Sequence, residues 1–94
     1  MAKLKPTDKE QSIRVTKAAI AGNQELYGVS DELLSSKAGF TTRTLQNRRI
    51  HPENFTLEEL WAVSKTLKLT PIQAASIVMG RALTSKEVKE FILL

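Results

Sequence analysis

Cysteine is absent from this chain of 94 residues, and aromatic side chains make up only 5% of it. Without thiols there is no disulfide, no thiolate zinc site and no cysteine nucleophile. The few aromatic rings provide no row of platforms on which single-stranded bases would stack. No stretch approaches the roughly 18 consecutive apolar residues of a transmembrane helix, and no secretory signal follows the first methionine. We therefore expect a cytoplasmic protein that does not enter a membrane.

Histidine is also scarce, and the usual signs of an active site are missing. The only histidine, His51, stands before a proline, where it fits a helix end better than a catalytic or metal-binding role. No pair of carboxylates converges on a glycine-rich loop. We therefore predict that the protein is not an enzyme and has no metal, cofactor or small-molecule ligand.

Helical signals run through the whole chain, and no alternating strand pattern interrupts them. Threonine and serine residues that cap helix starts recur, and glycines stand where helices end. The predicted helices cover residues 8 to 26 or 27, 31–38, 42–50, 57–67, 71–79 and 85–94. The predicted fold class is all-α, a compact single domain of five to six helices over residues 1–94. Residues 1–6 are expected to be a loose basic arm, with contact to DNA as the alternative.

Apolar spacing predicts which helix faces are buried. In the first helix, Ile13, Ile20 and Tyr27 recur every seven residues, beside a second apolar stripe. Gly22 belongs to that stripe, so we expect either a close helix contact or a break there. The second stripe of the first helix consists of Val15, Ala19, Gly22 and Leu26. The predicted inward face of the fourth helix consists of Leu57, Leu60, Val63, Ser64 and Leu67.

The most informative stretch is residues 30–50, where two short helices meet at Gly39. Glycine readily adopts the positive φ of a sharp turn. The later of the two, the third helix of the chain, carries three arginines and no acid, and the nearest acids along the chain are Glu32 and Glu53. A net charge of +4 also suits a nucleic-acid partner, although small basic proteins with other roles are common. A basic helix behind a glycine turn is typical of helices that enter the DNA major groove.

This stretch resembles the phage Cro/repressor type of helix-turn-helix domain, often called XRE-like. The resemblance covers roughly residues 13–79. Its pattern is Leu34-Ser35, Ala38-Gly39-Phe40 and Leu45, then HPENFTLEEL and a helix that opens at Thr70-Pro71. The resemblance implies a lambda-repressor-like globule of four or five helices whose third helix lies in the major groove.

Two positions depart from the family pattern. Asp31 stands where the family usually has a glutamine that meets a DNA phosphate, and an aspartate would repel that phosphate. Arg48 stands where the family often has a large apolar residue, so we expect Arg48 to lie along the surface and reach a phosphate. The start of the second helix is therefore where the resemblance is weakest.

The family position and the outward face of the third helix together indicate which residues contact DNA. Leu45 is the clearly apolar residue in this helix, so we expect it to point inward and its neighbours outward. Arginine pairs with guanine, asparagine and glutamine pair with adenine, and a threonine methyl can touch a thymine methyl. The predicted base readers are Thr42, Arg43, Gln46 and Asn47. The predicted phosphate contacts are Ser30, Thr41, Arg48, Arg49, His51, Asn54 and Thr56.

The sequence leaves two functions open. The first is a sequence-specific regulator of transcription, of bacterial or phage type, that binds double-stranded DNA. The alternative is a helix-turn-helix interaction module, such as a phage or antitoxin-like adaptor, that does not bind DNA. Four consecutive apolar residues, 91–94, predict a homodimer through the C-terminal helices, with packing back onto the domain as the alternative. Trp61 is interpreted either as a partly buried residue or as part of an interface.

Overall fold

Six α-helices follow one another along the computed structural model, which describes residues 7–92 apart from the side chains of Val88, Phe91 and Ile92. A 3-10 helix, Pro52–Asn54, joins the third helix to the fourth. The α-helices are α1 Asp8–Tyr27, α2 Asp31–Ala38, α3 Thr42–Ile50, α4 Leu57–Thr66, α5 Pro71–Met79 and α6 Ser85–Ile92. No strand occurs in residues 7–92, and the predicted all-α class is confirmed.

Two predictions concern the chain ends. The basic arm at residues 1–6 lies outside the described residues. The apolar run at residues 91–94 does so too, except for the backbone of its first two residues, which belongs to α6.

Local hydrogen bonds explain why the helices begin where the sequence predicts. The side chain of each residue before the first five helices accepts a hydrogen bond from the backbone amide three residues on, at 3.0–3.1 Å. These capping residues are Thr7, Ser30, Thr41, Thr56 and Thr70. Such caps satisfy amides that have no partner inside the helix. The start of each helix is thus determined by neighbours in sequence.

The core lies where α1 to α4 meet. Ile20, Leu34, Leu45, Val63 and Leu67 are at most 1% exposed and form one cluster. The predicted inward orientations of Leu45, Val63 and Leu67 are therefore correct. This cluster fixes how α2 and α3 are presented to solvent.

The buried face of α1 differs from the predicted apolar stripe. Leu26 is 72% exposed, whereas Asn23 and Gln24 are buried. Asn23 donates a hydrogen bond to the carbonyl of Leu67 at 2.9 Å, and Gln24 donates to the carbonyl of Val29 at 3.2 Å. Both carbonyls lie just beyond helix ends, where backbone oxygens lack helical partners. Buried amide side chains satisfy them, which leucine would not do.

Two further expectations about helix faces are wrong. Gly22 lies exposed inside a continuous α1 with no atom within 4 Å of where a Cβ would stand, so it is neither a close contact nor a break. Leu57 is 60% exposed. It lies about 120° around α4 from the buried Val63, because six residues span one and two-thirds turns. Trp61 also faces solvent, at 65% exposed.

Candidate nucleic-acid interface

The turn between α2 and α3 is closed by hydrogen bonds to one carbonyl. Gly39 has φ 83° and ψ 24°, in the left-handed region. Its amide and that of Phe40 both donate to the carbonyl of Ser35, at 3.0 and 3.1 Å. A side chain other than glycine would be strained at this φ. The predicted role of Gly39 in the turn is therefore confirmed.

Ser35 also connects α2 directly to the start of α3. Its hydroxyl is buried, donates to the carbonyl of Glu32 at 3.0 Å and lies 3.0 Å from the hydroxyl of Thr42. Since a serine has one hydroxyl proton, Thr42 donates in the second contact. The hydroxyl of Thr42 is thus used within the protein, and its side chain is half-buried rather than fully outward as predicted. Its hydroxyl oxygen can still accept a hydrogen bond, and its methyl group is available for a contact with a base.

The outer face of α3 carries the other three predicted base readers. Arg43, Gln46 and Asn47 are exposed, and their spacing of three and four residues places them on one side of the helix. Ile50 continues this side and is 60% exposed. Sequence reasoning missed Ile50 as part of this surface, although its distance of seven residues from Arg43 was the available signal. We call Arg43, Gln46, Asn47 and Ile50 the front face of α3.

Arg49, a predicted phosphate contact, is held by the residue expected to repel phosphate. One guanidinium nitrogen of Arg49 lies 2.8 Å from an Asp31 carboxylate oxygen. The same oxygen accepts a hydrogen bond from the side chain of Gln24 at 2.9 Å. The charges of Asp31 and Arg49 therefore compensate each other inside the protein. Asp31 does not present an uncompensated negative charge to DNA, and Arg49 does not present a free positive one.

Arg48 is paired in the same way with an acid of α4. Its Nε lies 3.0 Å from the Glu59 carboxylate, which also accepts from the backbone amide of Thr56 at 2.9 Å. Burial alone would raise the pKa of Glu59. The Thr56 amide and the Arg48 guanidinium outweigh burial, so the net pKa is lowered from its ordinary value of 4.5. Glu59 is thus ionised at neutral pH and compensates Arg48.

The remaining predicted phosphate contacts differ in what their polar atoms are doing. The hydroxyls of Ser30 and Thr56 accept helix amides and keep a proton to donate. The hydroxyl of Thr41 donates to Thr44 at 2.9 Å, so its proton is already used. His51 precedes the 3-10 helix and Asn54 is its last residue; both are exposed, and a ring nitrogen of His51 lies 3.9 Å from Glu53.

The positive charge of α3 is consequently uneven. Among the ion pairs of the described residues, Arg48 and Arg49 each have an acid partner and Arg43 has none. An exposed arginine with no acid beside it is available to a partner at no cost in internal contacts. On the front face of α3, Arg43 is therefore charged and unpaired. Arg48 and Arg49, which we call the rear of α3, are each compensated by an acid.

Neither a metal site nor a membrane span appears in this part of the chain. No three His, Asp or Glu side chains among the described residues are placed to hold a metal ion. No helix of residues 7–92 is both long and apolar enough to cross a membrane. Comparison with protein-family models, curated proteins and solved structures found no match to this chain.

Proposed function

We propose that the protein binds double-stranded DNA through the front face of α3 and regulates transcription by occupying an operator of bacterial or phage type. The observation that carries this proposal is that Arg43, Gln46 and Asn47 stand exposed on one side of a short helix. That helix is oriented by a glycine turn and contains no acid. The Cro/repressor-type order of residues 34–45 supports the same function.

The side chains of the front face match the chemistry of base edges. A guanidinium donates two hydrogen bonds to guanine O6 and N7, and a carboxamide pairs with adenine N6 and N7. Arg43 therefore selects guanine, and Gln46 and Asn47 select adenine. The exposed methyl groups of Ile50 are suited to a thymine methyl, an apolar contact of the kind that side chains make in the major groove.

Affinity for the DNA backbone comes from fewer charges than the sequence indicates. The hydroxyls of Ser30 and Thr56 have protons to donate to phosphates. Arg48 and Arg49 can bind phosphates only if each gives up its carboxylate partner within the protein. Such an exchange gains less than a contact by a free arginine, because the acid left behind stays charged and partly desolvated. We expect moderate affinity and specificity that depends mainly on Arg43.

Selection of bound sites from a pool of random DNA duplexes tests this proposal. The expected result is a short preferred sequence with guanine and adenine at adjacent positions, and affinity that falls as salt is raised. The proposed homodimer predicts two copies of this sequence about ten base pairs apart. Sedimentation of the free protein checks the oligomeric state independently.

The matched control is a duplex in which the selected guanine and adenine are exchanged for other bases. A pool that shows no preference, together with affinity that does not change with salt, would falsify DNA recognition by this chain. A single site without a second copy would leave DNA binding intact and remove the dimer.

A further inference from the structure

A second surface of the molecule carries lysines beside exposed apolar groups. α2 and the end of α4 border a shallow, open groove of about 480 Å³. Its floor is Val29, which packs on the core, and its α2 wall is Leu33, which is 42% exposed. Lys37, Lys65 and Lys68 surround it. We call this surface the lysine groove.

The lysine groove is positive without internal compensation. No acidic side chain lines it. None of its three lysines takes part in an ion pair found among residues 7–92. This differs from the rear of α3, where each arginine faces a carboxylate. An occupant that brings negative charge therefore meets ammonium groups that have no internal carboxylate to give up.

Lys68 occupies a position where the backbone itself disfavours lysine. Its φ is 51°, and among the described residues no other residue except glycine has a positive φ. It follows the end of α4, where glycine usually takes this left-handed conformation. Its ammonium lies 5.5 Å from the ring centroid of Tyr27, over the last residue of α1. A charged side chain is thus kept at the groove despite the strain, where glycine would relieve it.

The apolar part of the surface indicates what kind of anion fits. Leu33, which lines the groove, is 42% exposed, and Trp61, which lies outside the lining one turn before Lys65 on α4, is 65% exposed. A phosphate backbone offers nothing to cover these side chains, whereas a peptide offers both carboxylates and apolar anchors. Exposed tryptophan and clustered apolar groups are also features of protein-binding surfaces.

We propose that the lysine groove binds an acidic peptide segment of another protein. Aspartate or glutamate side chains of that segment contact Lys37, Lys65 and Lys68, and an apolar side chain covers Leu33. No residue of α3 lines the groove, so the peptide and the front face of α3 do not overlap. The proposal stands on charge complementarity and does not depend on DNA binding by the front face of α3.

The test is selection from a displayed library of random peptides, with the whole chain immobilised. We expect selected peptides to be rich in Asp and Glu and to contain a large apolar residue. Binding of one selected peptide is then followed by the fluorescence of Trp61, the single tryptophan of the chain. The double variant K37Q/K65Q is expected to bind that peptide roughly tenfold more weakly than the parent does.

Two further variants separate binding from general charge and from folding. Lys86→Gln removes one positive charge from an exposed position on α6 and should leave peptide affinity unchanged. Lys68→Gly relieves the backbone strain, so it should keep or raise stability in urea unfolding while it weakens the peptide. A purely structural Lys68 would show the stability change without the loss of binding.

Three results would overturn the proposal. The first is a selected peptide set no richer in acids than the starting library. The second is equal affinity of the selected peptides for the parent and for K37Q/K65Q. In the third, a DNA duplex displaces the peptide and K37Q/K65Q weakens DNA as much as Arg43→Ala, which would assign the groove to nucleic acid.

Discussion

The first and the last turn of α3 both carry arginines, but only the arginines of the last turn are paired with acids. Arg43, in the first turn, is exposed and has no ion pair within the described residues, whereas Arg48 and Arg49, in the last turn, face Glu59 and Asp31. Along the sequence all three belong to one acid-free helix. In space, acids from α4 and α2 compensate two of them. The charge that a helix offers to a partner therefore depends on which neighbours pack against it.

The largest expected effect on DNA binding is that of Arg43→Ala, which removes the unpaired arginine of the first turn. We expect this change to weaken binding to the selected DNA site by about 1–3 kcal/mol and to relax preference at one base pair, because a bidentate base contact is lost. Stability in urea should stay within about 0.5 kcal/mol of the parent, since Arg43 has no internal partner. Fluorescence anisotropy with single-base variants of the site measures both effects on DNA binding.

The matched control for Arg43 is Arg14→Ala, which removes an equal charge from an exposed position on α1. It should weaken DNA only slightly and equally for all sequences. Equal losses for the two variants would mean that overall charge, rather than the front face of α3, determines binding.

Both halves of α3 are oriented by the same turn, which Gly39→Ala should disturb. No atom lies within 4 Å of the added methyl, so the cost is backbone strain at φ 83°, about 1–2 kcal/mol of unfolding free energy. Gly22→Ala is the control, because it also adds a methyl to open space but in helical geometry. That change should instead stabilise the protein by about 0.5–1 kcal/mol in urea unfolding. Destabilisation by both changes would contradict this account of the turn.

Removing the negative charge opposite Arg49 should leave this arginine as available to a partner as Arg43. In Asp31→Asn the contact with Gln24 is kept and the charge opposite Arg49 is removed. We expect tighter DNA binding and a salt dependence steeper by about one phosphate contact. We also expect a stability loss of about 0.5–1 kcal/mol, because the ion pair is partly exposed.

Glu32→Gln provides the comparison for Asp31, since it removes an exposed acid one position further along α2. If the two variants bind DNA with the same affinity and salt dependence, release of Arg49 plays no part and only net charge matters.

Glu59→Gln, measured across pH, should alter stability about as little as Asp31→Asn does. Glutamine keeps the side-chain oxygen that caps α4, so the change isolates the charge opposite Arg48. Because the folded-state pKa of Glu59 lies below 4.5, its ionised form stabilises the fold above that pH. We expect the variant to be about 0.5–1 kcal/mol less stable at neutral pH. The difference should vanish as pH falls through the folded-state pKa of Glu59.

Urea unfolding of both proteins from neutral pH to about pH 3 measures this convergence. The exposed neighbour supplies a control, Glu58→Gln, which removes an acid that has no ion pair among the described residues and should cost less stability at neutral pH. A Glu59 difference that persists in acid would indicate lost packing instead of lost charge.

Much of the fold was predictable because its signals are local. The five threonine and serine caps each act on an amide three residues away, and the glycine turn depends on one φ angle. The inward orientation of Leu45 followed from its being the apolar residue in the middle of a polar helix. The candidate base readers followed from Leu45, except that Thr42 proved to be hydrogen bonded to Ser35.

The errors concern contacts between distant parts of the chain. Asn23 and Gln24 are buried because they satisfy backbone carbonyls beyond helix ends, and apolar periodicity carries no signal for that. Leu26 is displaced to the surface as a result, since the same helix cannot turn both faces to the core. Gly22, interpreted as a close contact, lies on the exposed side for the same reason.

By itself the sequence determined the helices, their caps, the turn at Gly39 and the outward position of Arg43, because each depends on interactions within a few residues. Only the tertiary structure decided which arginines are free. Arg49 meets Asp31 across 18 residues and Arg48 meets Glu59 across 11, distances along the chain that are closed only when α2, α3 and α4 pack around Leu34, Leu45 and Val63. An ion pair forms where packing brings two charges together, and the charge left over is what the domain presents to its partners.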